Sequence, residues 1–266
     1  MRKSPLIYFA TTAVVASLTS TAAIADEVNS VVLDVPPAIA PADGQRRTFP
    51  GIFGVASAVA APGGSGYAAL TYVSPRGGVS GAGADGDIAL GYTIGNPIEN
   101  LSVSAGVNIN GLIDNFGDSG NLNLSLSRMV NIGERSLTFV GASAGNLAGW
   151  GDASDSEESF AGYVSHVVAF DSTNGEIPVQ FTLGYGNQTT LSDDGRGTLG
   201  DGVFYGVGVG VTETLSLSLS GTETQFNVGG TVSVPAVDGL AVSAGVYDAT
   251  DNASRRQYAL TVAFSF

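Results

Sequence analysis

The sequence predicts an all-β fold in which about twelve antiparallel strands close into a transmembrane β-barrel. From Gln257 to Phe266, large apolar residues alternate without exception with small or polar ones. Because successive side chains of a strand point to opposite faces, this segment has one apolar face and one small face. The same alternation recurs along the chain, and the small face carries almost no charge. A soluble sheet would place Lys, Glu or Arg on that face, so the pattern favours a barrel with lipid outside.

Residues 1 to 25 have the pattern of a secretory signal peptide. Arg2 and Lys3 precede an apolar stretch, and small residues, including Ala23 and Ala25, precede Asp26. This stretch is too short and too polar to cross a membrane as a helix. Removal of the peptide makes the net charge of −14 more negative by two, because it takes away Arg2 and Lys3. So acidic a chain repels nucleic acid, and its lack of Cys leaves no disulfide to stabilise it.

Residues 26 to 65 form a separate section between the signal peptide and the first predicted strand. Residues 26 to 51 are rich in Pro, and we expect the section to be an extension outside the barrel or a plug inside the lumen. Segment 52 to 60 is a weak strand candidate, because its side chains are mostly small. Counting it would give an odd number of strands, so we do not include it.

The barrel is predicted to span residues 66 to 266. Runs with two-residue periodicity recur between turn-rich segments, at 66 to 73, 86 to 95, 100 to 109, 121 to 130, 135 to 145, 159 to 170, 176 to 186, 202 to 211, 214 to 221, 224 to 234, 238 to 247 and 257 to 266. Nearly all charged residues fall in the connectors. A charged side chain costs about 2–4 kcal/mol at the middle of a bilayer, so this placement agrees with strands that cross one.

The connectors alternate between short and mostly longer ones. Short connectors include 96 to 99, 212 to 213 and 235 to 238, whereas the longer ones include 110 to 120, 146 to 158 and 187 to 201. The longer connectors are acidic, with Asp118, Asp152 and Asp251 among their residues. Membrane barrels have short turns at one end and long loops at the other, so the alternation predicts two chemically different ends.

The last strand resembles the closing strand and terminal Phe insertion signal of Gram-negative outer-membrane β-barrels. The resemblance spans 66 to 266 and implies short periplasmic turns, long outer loops, and Tyr258, Phe264 and Phe266 as the insertion signal. It also implies outer-membrane lipid and the barrel assembly machinery as partners. Aromatic girdles are expected at the outer rim (Tyr72, Phe160, Tyr185, Phe204, Phe226, Tyr247, Tyr258) and at the inner rim (Tyr92, Phe170, Phe264, Phe266).

The predicted lumen is too wide for its own wall to fill. Twelve strands close at a backbone radius of roughly 12 Å, and inward residues as small as Ser, Gly and Ala leave that space open. The lumen is therefore a water-filled passage or holds part of residues 26 to 65, with a flattened barrel as a further alternative. The predicted lining residues are Ser102, Ser104, Asn108, Asn123, Ser216, Ser218, Asn227 and Thr231.

These features predict a porin-like passage for small hydrophilic solutes or cations. The alternatives are a structural or surface-interaction barrel without transport, and an exported soluble β-protein. We expect no enzymatic activity, cofactor or metal site. The neighbouring Ser165 and His166 point to opposite faces of one strand, so they cannot act together as nucleophile and base. His166 shares the parity of Val164 and Val168, which we ascribe to a local bulge.

Overall fold

A computed structural model describes residues 50–61, 63–75, 83–113, 116–133, 135–172, 175–191, 199–252 and 256–266, together with the backbone of three earlier strands. Those strands, β1 (Thr12–Thr21), β2 (Val28–Ile39) and β3 (Arg47–Thr48), pair in a small antiparallel sheet of their own. Most other residues of the predicted signal peptide and of 26 to 49 lie outside the described residues.

Twelve further strands form one closed antiparallel barrel, as the alternation predicted. They are β4 (Gly66–Val73), β5 (Asp85–Gly95), β6 (Ser102–Asn110), β7 (Ser119–Ile132), β8 (Ser136–Trp150), β9 (Ser159–Ser172), β10 (Gly175–Leu191), β11 (Leu199–Gly210), β12 (Leu215–Gly221), β13 (Phe226–Ser233), β14 (Leu240–Tyr247) and β15 (Gln257–Ser265). Each strand pairs with the next, and β15 pairs with β4. At the seam, Gly66 N donates to Phe266 O at 2.8 Å and Phe266 N donates to Gly66 O at 3.0 Å.

Several strands extend beyond their predicted ends. Strand β8 reaches Trp150, whereas the alternation ended at 145, because Asn146 and Ala148 have positive φ and break the two-residue period. The pairing of β7 with β8 shifts register beside Leu122, so the strands continue past the break. Segment 52 to 60, the weak strand candidate, forms no strand. Among the described residues, no helix is long and apolar enough to cross a membrane.

The connectors define two ends of the barrel. The short-turn end carries the connectors 96 to 101, 133 to 135, 173 to 174, 211 to 214 and 234 to 239, and the chain enters β4 there. The long-loop end carries 74 to 84, 111 to 118, 151 to 158, 192 to 198, 222 to 225 and 248 to 256. Phe266 lies at the short-turn end, as predicted.

The outward face is apolar and the inward face is small. In β15 the large residues Tyr258, Leu260, Val262 and Phe264 are exposed, whereas the residues between them are buried in the barrel. The other strands also expose large apolar residues, so that Leu, Val, Ile and aromatic side chains surround the outside of the barrel. Because exposed apolar surface is unfavourable in water, this outside is stable only against lipid or detergent.

Substitutions at two depths test the bilayer around the barrel. Leu183 lies at the middle of β10 with 60% of its surface exposed, and Val211 follows the short-turn end of β11 with 51% exposed. We expect Leu183→Arg to lower the free energy of unfolding in lipid vesicles by about 2–4 kcal/mol, and Val211→Arg by about 0–1 kcal/mol. Denaturant titration of both refolded variants measures the difference. Equal losses would contradict a bilayer centred on Leu183.

Candidate functional site: the barrel lumen

All eight predicted lining residues lie on the inward face. Ser102, Asn108, Ser216, Ser218, Asn227 and Thr231 are buried, whereas Ser104 and Asn123 are half-buried. That they line a path for solutes remains a prediction. Several of these side chains bond to one another across neighbouring strands, because inward residues of paired strands face each other. Ser104 Oγ lies 2.7 Å from Thr93 Oγ1, and Thr231 Oγ1 lies 2.8 Å from Ser243 Oγ.

Three asparagines form a second polar group on the wall. Asn108 Nδ2 and Asn123 Nδ2 both donate to Asn121 Oδ1, at 3.1 and 2.9 Å. They lie on β6 and β7 in the half of the wall nearer the long loops. The Oδ1 atoms of Asn108 and Asn123 accept no hydrogen bond from the described residues, so the group places unpaired polar atoms on the inward wall.

Residues 50–61, which we call the lumen segment, lie inside the barrel and are almost entirely buried. Their contacts reach β6, β7, β9, β10, β11, β12 and β13, strands that surround the lumen on all sides. Only a segment within a closed barrel can touch inward residues around its whole circumference. The wall therefore encloses a second layer of chain.

The lumen segment enters and leaves at the short-turn end. At its start, Gly51 O lies against Gly208, near the end of β11, and beyond its end Gly64 N donates to Thr93 O of β5 at 2.8 Å. Between these points the chain turns at Gly54, which has φ +88°. A Cβ at Gly54 would lie 2.6 Å from Asn227 Nδ2, so both conformation and space require Gly there.

Serine hydroxyls of the wall satisfy the backbone of the lumen segment. Phe53 N donates to Ser218 Oγ at 2.9 Å, and Ser220 Oγ donates to Phe53 O. Across the lumen, Ala58 N donates to Ser165 Oγ at 2.8 Å. Ser127 Oγ donates to Ala58 O, and Ser102 Oγ donates to Ala61 O at 3.2 Å. Because a buried, unpaired peptide group is costly, these hydroxyls allow an irregular segment to lie in the interior.

The side chain of Phe53 fits a recess in the wall. A Cβ at Gly229 would lie 2.4 Å from Phe53 Cβ, and one at Gly245 would lie 2.6 Å from the Phe53 ring. The ring contacts Tyr247 with centroids 4.6 Å apart. Glycine thus gives room for an aromatic anchor, and Phe53 is only 7% exposed. In the same way, Ile52 and Val55 pack over Gly206.

Larger inward residues fill the space on the other side of the lumen segment. Met129, Phe139, Tyr163 and Phe204 join Ile52, Val55 and Val59 in one apolar cluster. The expected place of Phe204 and Tyr247 in an outer girdle is therefore wrong, because both are buried inside the barrel. Over this depth the lumen segment, which belongs to the section 26 to 65, and the aromatic side chains lie in the space that the small inward residues leave.

Ser165 and His166 belong to different surfaces. Ser165 is fully buried and bonds to the lumen segment and to Thr182 Oγ1 at 2.5 Å. The predicted bulge is wrong, because β9 keeps continuous register with both neighbours. His166 lies on the outward parity, where its Nδ1 is 3.0 Å from Thr138 Oγ1, and this hydrogen bond accommodates it among apolar residues.

Charge is concentrated at the ends of the barrel. At the short-turn end Arg135 pairs with Asp171, and at the long-loop end Arg256 Nη2 lies 4.0 Å from Asp251. The described long loops contain more acidic than basic residues, and Asp248, just after β14, is fully buried. A negative entrance attracts cations and repels anions.

The predicted insertion residues lie on the outward face at either end of β15. Tyr258, Phe264 and Phe266 are all exposed, and the rings of Phe264 and Phe266 stack with centroids 6.2 Å apart. Exposure leaves these rings accessible to lipid or to another protein. Their role in insertion remains a prediction.

Sequence analysis gave part of residues 26 to 65 as a possible filling of the lumen, but it did not identify which residues enter it. One signal was present, because no charged residue occurs from Thr48 to Pro75, a stretch that begins well before the first barrel strand. An uncharged, partly apolar stretch outside the strands needs burial. The lumen is the available interior.

No family model matches the chain, and no curated protein matches it in sequence. Among solved structures, the barrel is similar to a KdgM porin in complex with disordered oligogalacturonate, with TM-score 0.50, 10% identity, and coverage of 76% of this chain and 99% of that one. The outer membrane protein Omp33 of Acinetobacter baumannii has TM-score 0.47 and 11% identity, and covers 76% and 98%. The first similarity shows that this chain has the fold of a bacterial outer-membrane β-barrel.

A substitution in the wall tests the Phe53 recess. In Gly229→Val the new side chain overlaps Phe53, and overpacking costs about 1–3 kcal/mol. The chain has no Cys, so Ala56→Cys gives a single thiol in the buried lumen segment. We expect Gly229→Val to raise its labelling by a water-soluble maleimide roughly tenfold, since about 1.4 kcal/mol is a tenfold shift.

Gly162→Val is the matched control, because a Cβ at Gly162 has no neighbour within 4 Å. The thiol at position 56 should remain protected in that background. Protection in Gly229→Val as well would show that Phe53 does not anchor the segment.

Proposed function

We propose that the chain is an outer-membrane β-barrel with a porin-like passage for small hydrophilic solutes or cations. The location in a membrane is supported by the largely apolar outward face of the barrel and by its two unlike ends. In this proposal residues 1–25 direct export, residues 66–266 form the barrel, and the short turns face the periplasm. The barrel assembly machinery would insert the chain.

The passage is the lumen, and the serine, threonine and asparagine side chains of its wall form the polar lining. Its preference for cations follows from the acidic residues at the long-loop end. We infer that the lumen segment is the plug of this passage. The observation that carries the proposal is that the segment lies inside the barrel and bonds to its wall. The segment has no strand of its own and bonds to both sides of the wall, so the passage is closed while the segment is seated.

A barrel without transport is the second candidate. It is favoured by the apolar clusters that join the lumen segment to the wall, since these resemble a permanent protein core. The two candidates differ in whether the segment leaves the lumen.

Conductance in planar bilayers tests the passage. Phe53→Asp places a carboxylate in an apolar recess, and an unpaired buried charge costs several kcal/mol, so the segment should leave. We expect the natural chain to be closed and Phe53→Asp to conduct, with a reversal potential in a salt gradient that shows cation preference.

Phe116→Asp is the matched control, because Phe116 is 68% exposed in a long loop and the same change there should leave the channel closed. A folded Phe53→Asp barrel that stays silent would contradict the passage and favour the barrel without transport. Anion preference would contradict the role of the acidic loops.

A change at the carboxyl end tests the insertion signal. Phe266→Ser keeps the backbone bonds to Gly66, so we expect the purified variant to refold into detergent as the natural chain does. In cells we expect severalfold less heat-modifiable barrel in the outer-membrane fraction. Phe170→Ser, at another exposed aromatic on the outward face, should assemble normally. Equal yields for the two variants would show that Phe266 is only the end of a strand.

A further inference from the structure

The lumen segment has the character of a bound peptide. No residue from 51 to 61 belongs to a helix or strand, and the described backbone bonds of Phe53, Ala58 and Ala61 go to the wall and not to the segment itself. Within the segment Val59 N donates to Ser57 Oγ at 3.2 Å, so the conformation of the segment depends mostly, and not wholly, on partners outside it. A peptide that gains its shape from a surface is recognised by that surface.

The wall offers two kinds of recognition. Serine hydroxyls on β6, β7, β9 and β12 meet the peptide groups at fixed places, which any sequence could use. The second kind of recognition comes from glycines, because they leave recesses for particular side chains. Gly229 and Gly245 admit Phe53, and Gly206 admits Ile52 and Val55. A bulky residue elsewhere in the segment would meet no such recess, so the wall discriminates among sequences.

The side chain of Ser57 adds a specific polar contact. Gln180 Nε2 donates to Ser57 Oγ at 2.5 Å, and both residues are buried. A larger residue at position 57 would displace Gln180, while Ala would leave its amide without this partner. The combination is an aromatic anchor at one side of the lumen and a small polar residue at the other.

We propose that the lumen wall is a sequence-selective binding site for an apolar peptide that turns back at a Gly, which the chain occupies with its own residues 50–61 as a built-in inhibitor. The proposal rests on the proposed passage for its effect on transport, but binding itself does not require a current. The ligand class is an uncharged peptide with a Phe anchor. Once the segment is displaced, the same peptide supplied separately should take its place.

The experiment uses the full chain carrying Phe53→Asp, with Phe53→Ser as a second variant with a milder change. A fluorescent synthetic peptide of residues 50–61 is titrated into the detergent-solubilised protein, and the unlabelled peptide is added to the bilayer channel. We expect saturable binding and a loss of current. The peptide with Phe53→Ala should bind at least about tenfold more weakly, because a buried Phe contributes more than the roughly 1.4 kcal/mol that a tenfold change requires.

The recess supplies the receptor control. Adding Gly229→Val to the Phe53→Asp chain should abolish binding, whereas adding Gly162→Val should not. Absence of binding, or binding that ignores both the Phe of the peptide and Gly229, overturns the inference. Binding without any current in the Phe53→Asp chain would leave the inference standing and contradict the passage. Current without binding would do the reverse.

Discussion

The whole structure depends on the need of every buried peptide group for a hydrogen-bond partner. A strand in the barrel satisfies every peptide group through its two neighbours, and the pairing of β4 with β15 removes the edges that an open sheet would leave in lipid. The lumen segment faces the same demand without a strand partner. Its peptide groups bond to serine hydroxyls of the wall, which take the place of a neighbouring strand. The high Ser content of the inward face thus has a structural use.

The division of side chains between the two faces follows from that geometry. Most large apolar residues lie outside, so the small residues that dominate the inward face do not fill the interior. Part of the filling is a second layer of chain, and part is a few large inward residues such as Tyr163 and Phe204, whose rings lie 6.1 Å apart. The result combines a surface suited to lipid with an interior packed like that of a soluble domain.

Much of the fold is predictable from the sequence because the two-residue period is physical and local. The number, order and direction of the barrel strands follow from the alternation and from the connector lengths. The ends of β8 do not, since bulges continue a strand after its period is lost. The parity of a residue also predicts which face it lies on better than its position along the strand does. Tyr247 ends β14, as a girdle residue would, yet it points inward with its parity, and Phe204 does the same near the middle of β11.

The candidate site is less predictable because it depends on contacts between distant residues. The polarity of Ser218 and Ser165 is equally compatible with a water-filled pore and with a bound backbone. The sequence around each serine does not distinguish a pore lining from a partner for a buried backbone. The decisive partner, Phe53, precedes the barrel, and its recess is made of glycines, which leave no hydrophobic pattern of their own.

The path of the lumen segment, in and out at the short-turn end, has a topological consequence. A loop whose two arms cross the same rim can enter or leave a closed barrel without a chain end passing through the barrel. Residues 50–61 are such a loop, and the chain continues from them into β4 at the same rim. The seam between Gly66 and Phe266 therefore need not open for this loop to enter or leave the lumen.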